Sequence, residues 1–129
     1  MNYLEKYAYT PDQELMGRAL ELIAANLESI ACEQVYKECF SMMDLTTLKT
    51  DDTPASVTKL VNKVNSFSET YPEWPLPASM CVYPNFAAVV KEARKCDVNI
   101  TVVSACFPSS QSFLEVKLRE CELAVEQGA

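Results

Sequence analysis

The 129-residue chain contains no histidine, only two glycines, and fewer basic than acidic residues. Without histidine, no imidazole base can activate a serine or cysteine nucleophile, and a zinc site would need four thiolates from scattered positions. Gly17 and Gly128 are the only glycines, so no predicted strand is followed by a glycine-rich phosphate loop. This excludes dinucleotide-binding and P-loop motifs.

Charge and hydrophobic runs exclude further classes of protein. With 18 acidic and 11 basic residues, the net charge is −7. Neither nucleic acid nor an anionic membrane surface is expected as a partner, because both bind clustered basic residues. No apolar run approaches the roughly 18 residues of a membrane-spanning helix, and the N-terminus does not have the pattern of a signal peptide. We therefore expect a cytoplasmic protein.

The six cysteines form no C-x-x-C pair. In a cytoplasmic protein we expect most of them to be reduced, buried and apolar in character, rather than disulfide-bonded or zinc-bound. We therefore predict no metal site. The cysteines are Cys32, Cys39, Cys81, Cys96, Cys106 and Cys121.

Residues 1–40 are predicted to be a helical extension. Thr10 is typical of an N-cap, and Pro11 of a first helical position. Apolar residues then recur at spacings of four and three, which indicates one face of an α-helix. This pattern comprises Met16, Leu20, Ile23, Leu27 and Ile30, and it continues, after a break, through Phe40.

Beyond residue 40, strand and helix patterns alternate three times. Residues 42–45 indicate a buried strand end, and Pro54 begins an amphipathic helix. Residues 78–83 (ASMCVY) and 99–105 (NITVVSA) predict two further strands, with a helix from Pro84 between them. Such alternation predicts parallel strands with right-handed crossovers, and it fits a doubly wound sheet or a (β/α)₈ barrel.

A last helix is predicted after the third strand. Ser112 and Glu115 form a predicted capping box, and Gly128 is predicted to cap the carboxyl end. Its apolar stripe is Leu114, Leu118, Cys121 and Val125.

Three motifs resemble, in order and spacing, the first three strands of deoxyribose-phosphate aldolases. They are residues 43–48 (MDLTTL) followed by 51–53 (DDT), residues 78–84 (ASMCVYP), and residues 102–108 (VVSACFP). The resemblance implies an incomplete (β/α)₈ TIM barrel, in which residues 41–129 hold the first three βα units. A complete barrel needs about 250 residues.

The resemblance also implies an activity. The family cleaves 2-deoxyribose 5-phosphate to glyceraldehyde 3-phosphate and acetaldehyde through a lysine Schiff base, without metal or cofactor. None of the eight lysines lies on a predicted strand, and the family's nucleophile belongs to a later one. We therefore expect an inactive portion of a lyase of carbohydrate catabolism, whose substrate partner is a phosphorylated sugar or aldehyde.

The same resemblance implies roles for four residues. Asp44, predicted to end the first strand, corresponds to a catalytic aspartate in the polar network around the reacting amine. Thr46 corresponds to a position near the substrate hydroxyls, Leu48 to the aldehyde pocket, and Cys81 to a cysteine facing that pocket. From the residues alone, Asp44 could instead cap the following loop, and Cys81 could simply be buried.

Other positions depart from the family or have ordinary explanations. Ser109 and Ser110 stand where many relatives carry a His-Gly pair. Glu115 and Glu120 are expected on a solvated helix face. Two alternatives remain open: a non-catalytic module that self-associates through an exposed sheet edge, and a flavodoxin-like binding domain.

Overall fold

A computed structural model describes Lys6 and residues 12–129, so the helix start predicted at Thr10 and Pro11 lies outside the described residues. The chain divides into two compact units, residues 1–36 and 37–129. The assignment of residues 1–40 and 41–129 to separate parts of an aldolase stays a prediction.

The first unit contains helix α1, Gln13–Ile30. The Asp12 carboxylate accepts a hydrogen bond from the Leu15 N–H at 2.9 Å and so caps the amino end of the helix. No residue of α1 is buried. After a two-residue break, helix α2 (Glu33–Ser41) begins, which confirms the predicted interruption.

The second unit is built on three parallel strands in the order β1-β2-β3. The strands are β1 (Asp44–Thr46), β2 (Ser79–Val82) and β3 (Asn99–Val102). The helices are α3 (Pro54–Asn65), α4 (Phe67–Thr70), α5 (Ala87–Ala93), which follows a 3₁₀ turn (Pro84–Phe86), and α6 (Leu114–Glu126). The three predicted βα units are therefore present.

One face of this sheet is apolar and packs against helices. Met80 and Val82 on the central strand have no exposed surface, and they form a core with α3 and α5. The strand residues that this face presents are Leu45, Met80, Val82, Ile100 and Val102, and the helical residues packed on it include Val57, Val61, Val64 and Val90. Burial of these side chains is the main stabilising term for the unit.

The opposite face, which we call the inner face, carries only polar or small side chains. Because paired residues of parallel strands point to the same side, the register assigns it Asp44, Thr46, Ser79, Cys81, Asn99 and Thr101. A doubly wound sheet buries apolar residues on both faces, whereas this sheet buries them on one. The arrangement, with strands in chain order, is consistent with part of a barrel and disfavours the flavodoxin-like alternative.

The third strand and last helix differ in detail from the prediction. β3 ends at Val102, not at residue 105, because Ala105 and Cys106 have φ angles of 55° and 59°, in the left-handed region that a strand cannot contain. The predicted capping box of Ser112 and Glu115 is wrong. α6 begins at Leu114, after Phe113, and no side chain caps it.

The apolar stripe predicted for α6 is exposed rather than buried. Leu114, Leu118 and Val125 are each more than half exposed, and Ala124 is the buried residue of the helix. Gly128 does end the helix as predicted. It has φ of 109°, and its N–H donates to the Val125 carbonyl at 3.0 Å.

Candidate active site on the inner face

Asp44 lies on the inner face, but at the opposite end of its strand from the one predicted. It is the first residue of β1 and pairs with Ser79, the first residue of β2. Its Cα is about 7 Å along the strand from that of Thr46, the last residue, at the usual rise per residue. The error arose because the apolar residues before Asp44 were assigned to the strand, whereas Met42 and Met43 are exposed and precede it.

A buried serine holds the Asp44 carboxylate. The Ser79 hydroxyl donates a hydrogen bond to Asp44 Oδ1, and Ser79 is only 3% exposed. A buried hydroxyl needs a hydrogen-bond partner, and Asp44 supplies one to Ser79. The same bond fixes the orientation of the Asp44 carboxylate. Asp44 itself is exposed, which leaves the carboxylate reachable from the open side of the inner face.

Thr46 and Cys81 are the next pair of residues on the inner face, toward the carboxyl ends of the strands from Asp44 and Ser79. They are paired residues of β1 and β2, and the Thr46 hydroxyl donates a hydrogen bond to the Asp44 carbonyl oxygen at 3.2 Å. Burial raises the pKa of the Cys81 thiol; the adjacent Thr46 hydroxyl opposes this shift, and the nearby Asp44 charge adds to it. Cys81 is therefore protonated at neutral pH and a weak nucleophile. The structure thus brings Asp44, Thr46 and Cys81 together.

Leu48 lies in the loop after β1, outside the strand pairing. Its carbonyl oxygen accepts a hydrogen bond from the Tyr83 hydroxyl at 3.1 Å. Tyr83 follows β2 directly, so this bond fastens the β1 loop to the carboxyl end of the neighbouring strand. The contact could not be read from the sequence, because the two residues are 35 positions apart.

Asp52, which was not assigned a site role, organises the loop between β1 and α3. Its carboxylate accepts from the Thr47 hydroxyl at 2.8 Å, the Lys49 N–H at 3.0 Å and the Ser56 hydroxyl at 3.2 Å. The Thr47 hydrogen bond is the largest cause that lowers the pKa of Asp52. Loop capping was the alternative considered for Asp44, and Asp52 performs it instead.

Thr53 caps α3, which begins at Pro54 as predicted. Its hydroxyl accepts from the Ser56 N–H at 3.1 Å, and its own N–H donates to the Ser56 hydroxyl at 2.9 Å. This reciprocal pair satisfies the first free N–H groups of the helix. Together with the Asp52 bonds, it gives the β1–α3 loop a defined conformation beside the inner face.

Glu120 is not on a solvated face, contrary to the prediction. It is half-buried, and its carboxylate accepts a hydrogen bond from the Cys106 N–H at 2.9 Å. The bond holds the left-handed segment after β3 against α6. Ser110 has a φ of 53°, a conformation that glycine adopts more readily.

All six cysteines are free thiols, but the expectation that most are buried is wrong. Cys81 is the buried one, whereas Cys39 and Cys121 are exposed. Across Lys6 and residues 12–129, no group of three or more potential ligands is arranged to hold a metal ion. None of the described helices is both long and apolar enough to cross a membrane.

The described strands contain no lysine, as the sequence predicted. Each of the eight lysines lies on a helix or in a loop. The part of the chain that the structure describes therefore places a carboxylate, three hydroxyls, an amide and a thiol on the inner face, and none of its strands supplies an amine.

Proteins of known class match both the sequence and this fold. The chain is 32% identical over 121 residues to a Caenorhabditis elegans protein named as a candidate deoxyribose-phosphate aldolase; the match covers 92% of the chain and 40% of the relative. The human deoxyribose-phosphate aldolase is 32% identical over 100 residues, covering 69% of the chain and 31% of the relative. The chain belongs to the deoxyribose-phosphate aldolase family. No family model matches it.

Solved structures of the same family support the fold. A candidate deoxyribose-phosphate aldolase from Coccidioides immitis superposes with a TM-score of 0.60 at 19% identity, over 72% of this chain and 34% of that one. The deoxyribose phosphate aldolase from Aeropyrum pernix gives 0.55 at 24% identity, over 72% and 36%. The chain thus spans well under half the length of the deoxyribose-phosphate aldolases that it matches.

Proposed function

We propose that the chain forms the N-terminal portion of a Schiff-base aldolase that cleaves 2-deoxyribose 5-phosphate. The observation that carries the proposal is the inner face, where the Asp44 carboxylate is held by Ser79 on a sheet of aldolase type. The identity to proteins named deoxyribose-phosphate aldolase supports the substrate. The location that we expect remains the cytoplasm.

The reaction requires an amine and groups that move protons. The amine condenses with the C1 aldehyde and releases water, and the C2–C3 bond then breaks as the C3 hydroxyl loses its proton. The electron pair of that bond moves onto the iminium, which releases glyceraldehyde 3-phosphate and leaves an enamine. Protonation and hydrolysis of the enamine give acetaldehyde. Asp44 takes part in the proton-moving network, Thr46 contacts substrate hydroxyls, and Leu48 and Cys81 contribute to the aldehyde pocket.

We propose that the 129-residue chain alone has no aldolase activity, because no described strand supplies the amine. Incubation with 2-deoxyribose 5-phosphate and borohydride reduces any Schiff base to a stable adduct, which intact mass spectrometry detects. We expect no adduct on this chain and a single adduct on the human relative treated in parallel. An adduct on any of the eight lysines would contradict the proposal.

A chimera tests the role of Asp44 directly. The matching segment of the human relative is replaced by this chain, and cleavage of 2-deoxyribose 5-phosphate is measured. We expect activity, and we expect Asp44→Asn to lower kcat by about a hundredfold, the usual size of an acid–base contribution. Asp51→Asn, at an exposed loop position, is the control. An active chimera that tolerates Asp44→Asn would remove Asp44 from the mechanism.

A second candidate is a non-catalytic module that assembles through its sheet edges. Among the described strands, β1 and β3 each pair on one side only, and unpaired edges favour pairing with another chain. We therefore expect homo-oligomers in size-exclusion chromatography with light scattering. A stable, folded monomer would count against this candidate, without bearing on the aldolase proposal.

A further inference from the structure

A cleft of about 350 Å³ opens beside the carboxyl end of β1, between the β1–α3 loop and α3. Three lysines line it, Lys49 from the loop and Lys59 and Lys63 from the helix, with one acidic residue, Asp52. The lining therefore has a net charge of about +2, on a chain whose total is −7. This is a local region of positive charge on an acidic protein.

Lys59 and Lys63 form no salt bridge with any residue in the described part of the chain, whereas Lys49 lies close enough to Asp52 for their charges to attract. Lys59 and Lys63 are one helical turn apart, and like charges at that spacing disfavour each other. Asp52 offsets only part of this charge, because it supplies one negative charge against three positive ones. An anion in the cleft would neutralise the excess.

The volume and the charge distribution of the cleft restrict which class of ligand it can bind. Its volume is near the lower end of the roughly 300–1,000 Å³ typical of small-molecule sites. Three lysines in one cleft do not form the extended basic stripe that a nucleic acid requires. The amino end of α3 is already capped by Thr53 and Ser56, so the lysine side chains must provide the binding.

We propose that this cleft binds a phosphorylated small molecule through Lys49, Lys59 and Lys63. An ammonium group carries three donors and serves as a point charge for phosphate, and its flexible stem lets three such groups converge on one anion. Thr46 of the inner face also lines the cleft, but the proposed contacts are those of the three lysines, none of which lies on a strand, so the proposal does not rest on the aldolase reaction.

The test is an NMR titration of the ¹⁵N-labelled chain with pyrophosphate, with inorganic phosphate, and with sodium chloride at matched ionic strength. We expect saturable shifts of the Thr47, Lys49 and Ser56 amide signals with the phosphates. The double variant Lys59→Gln/Lys63→Gln should weaken binding by about tenfold, because two charge contacts are lost. The control, Lys91→Gln/Lys95→Gln, removes the same charge elsewhere and should change binding by less than about twofold.

Three outcomes would overturn the proposal. Sodium chloride could reproduce the shifts, which would mean screening without binding. The two double variants could weaken binding equally, which would mean that net charge alone matters. The phosphates could leave the amides of the cleft unshifted while the spectrum shows a folded chain. Each result is independent of the borohydride experiment, so failure here leaves the aldolase proposal intact.

Discussion

Met80→Ala tests whether the sheet is stabilised through one face. Met80 has no exposed surface, lies on the central strand, and packs in the core between the sheet and the helices. Its replacement removes the whole buried side chain and leaves a cavity, at a cost of about 3 kcal/mol within the usual 2–5 kcal/mol. For a unit of this size, residues 37–129, that corresponds to a fall in Tm of roughly 15 °C.

Urea unfolding followed by circular dichroism at 222 nm measures the effect. We expect a lower midpoint with an unchanged slope, because the substitution alters stability and not the surface exposed on unfolding. Two variants serve as controls. Met80→Leu nearly preserves volume and should cost less than about 1.5 kcal/mol. Thr101→Ala, on the inner face of the adjacent strand, should cost no more than about 1 kcal/mol.

A loss of stability for Thr101→Ala as large as that for Met80→Ala would refute the reasoning. It would mean that the inner face is packed in a core of its own, and the distinction between an apolar helical face and a polar inner face would fail. A cost below about 1 kcal/mol for Met80→Ala would have the same consequence, since the cavity term would be absent.

Three further predictions concern loops and thiols. Ser110→Gly should stabilise the chain by about 0.5–1 kcal/mol in the same urea assay, because φ of 53° suits glycine; destabilisation would contradict the assigned backbone. Iodoacetamide at pH 7.5 should alkylate exposed Cys121 well before buried Cys81, whose pKa is raised, as peptide mass spectrometry would show. The hydrogen bond from Thr47 lowers the pKa of Asp52 in the folded chain below its ordinary value of 3.8. The ionised Asp52 carboxylate therefore stabilises the fold fully above pH 3.8, and this stabilisation is lost as the pH falls through the pKa of the folded state. Asp52→Asn should therefore destabilise the chain at pH 7 and much less near pH 2.

The sequence was sufficient to predict the order of the helices and strands. It was insufficient to predict contacts between residues that are far apart along the chain. Thr53 and Pro54 predicted the start of α3 correctly, because capping depends on neighbouring residues. The bond between Ser79 and Asp44 joins residues 35 positions apart, and only strand register brings them together. Glu120 was misassigned for the same reason, since its partner is a backbone N–H in another segment.

The sequence also did not predict left-handed backbone conformations at residues other than glycine. Ala105 and Cys106 are left-handed although neither residue type favours that region, so the third strand was predicted to be too long. The capping box of Ser112 and Glu115 fitted its sequence pattern, yet the helix begins after Phe113. A capping-box pattern is compatible with a helix that begins after Ser112, but it does not exclude a helix that begins one residue later.

The hydrogen bond from the Tyr83 hydroxyl to the Leu48 carbonyl has a thermodynamic consequence. Leu48 adjoins Lys49 of the cleft, and Tyr83 is two residues beyond Cys81 of the inner face. A ligand that shifts Leu48 must therefore break this bond or move the tyrosine ring with it. For such a ligand, occupancy of one location would change affinity at the other, and reciprocity would require the same coupling free energy in both directions.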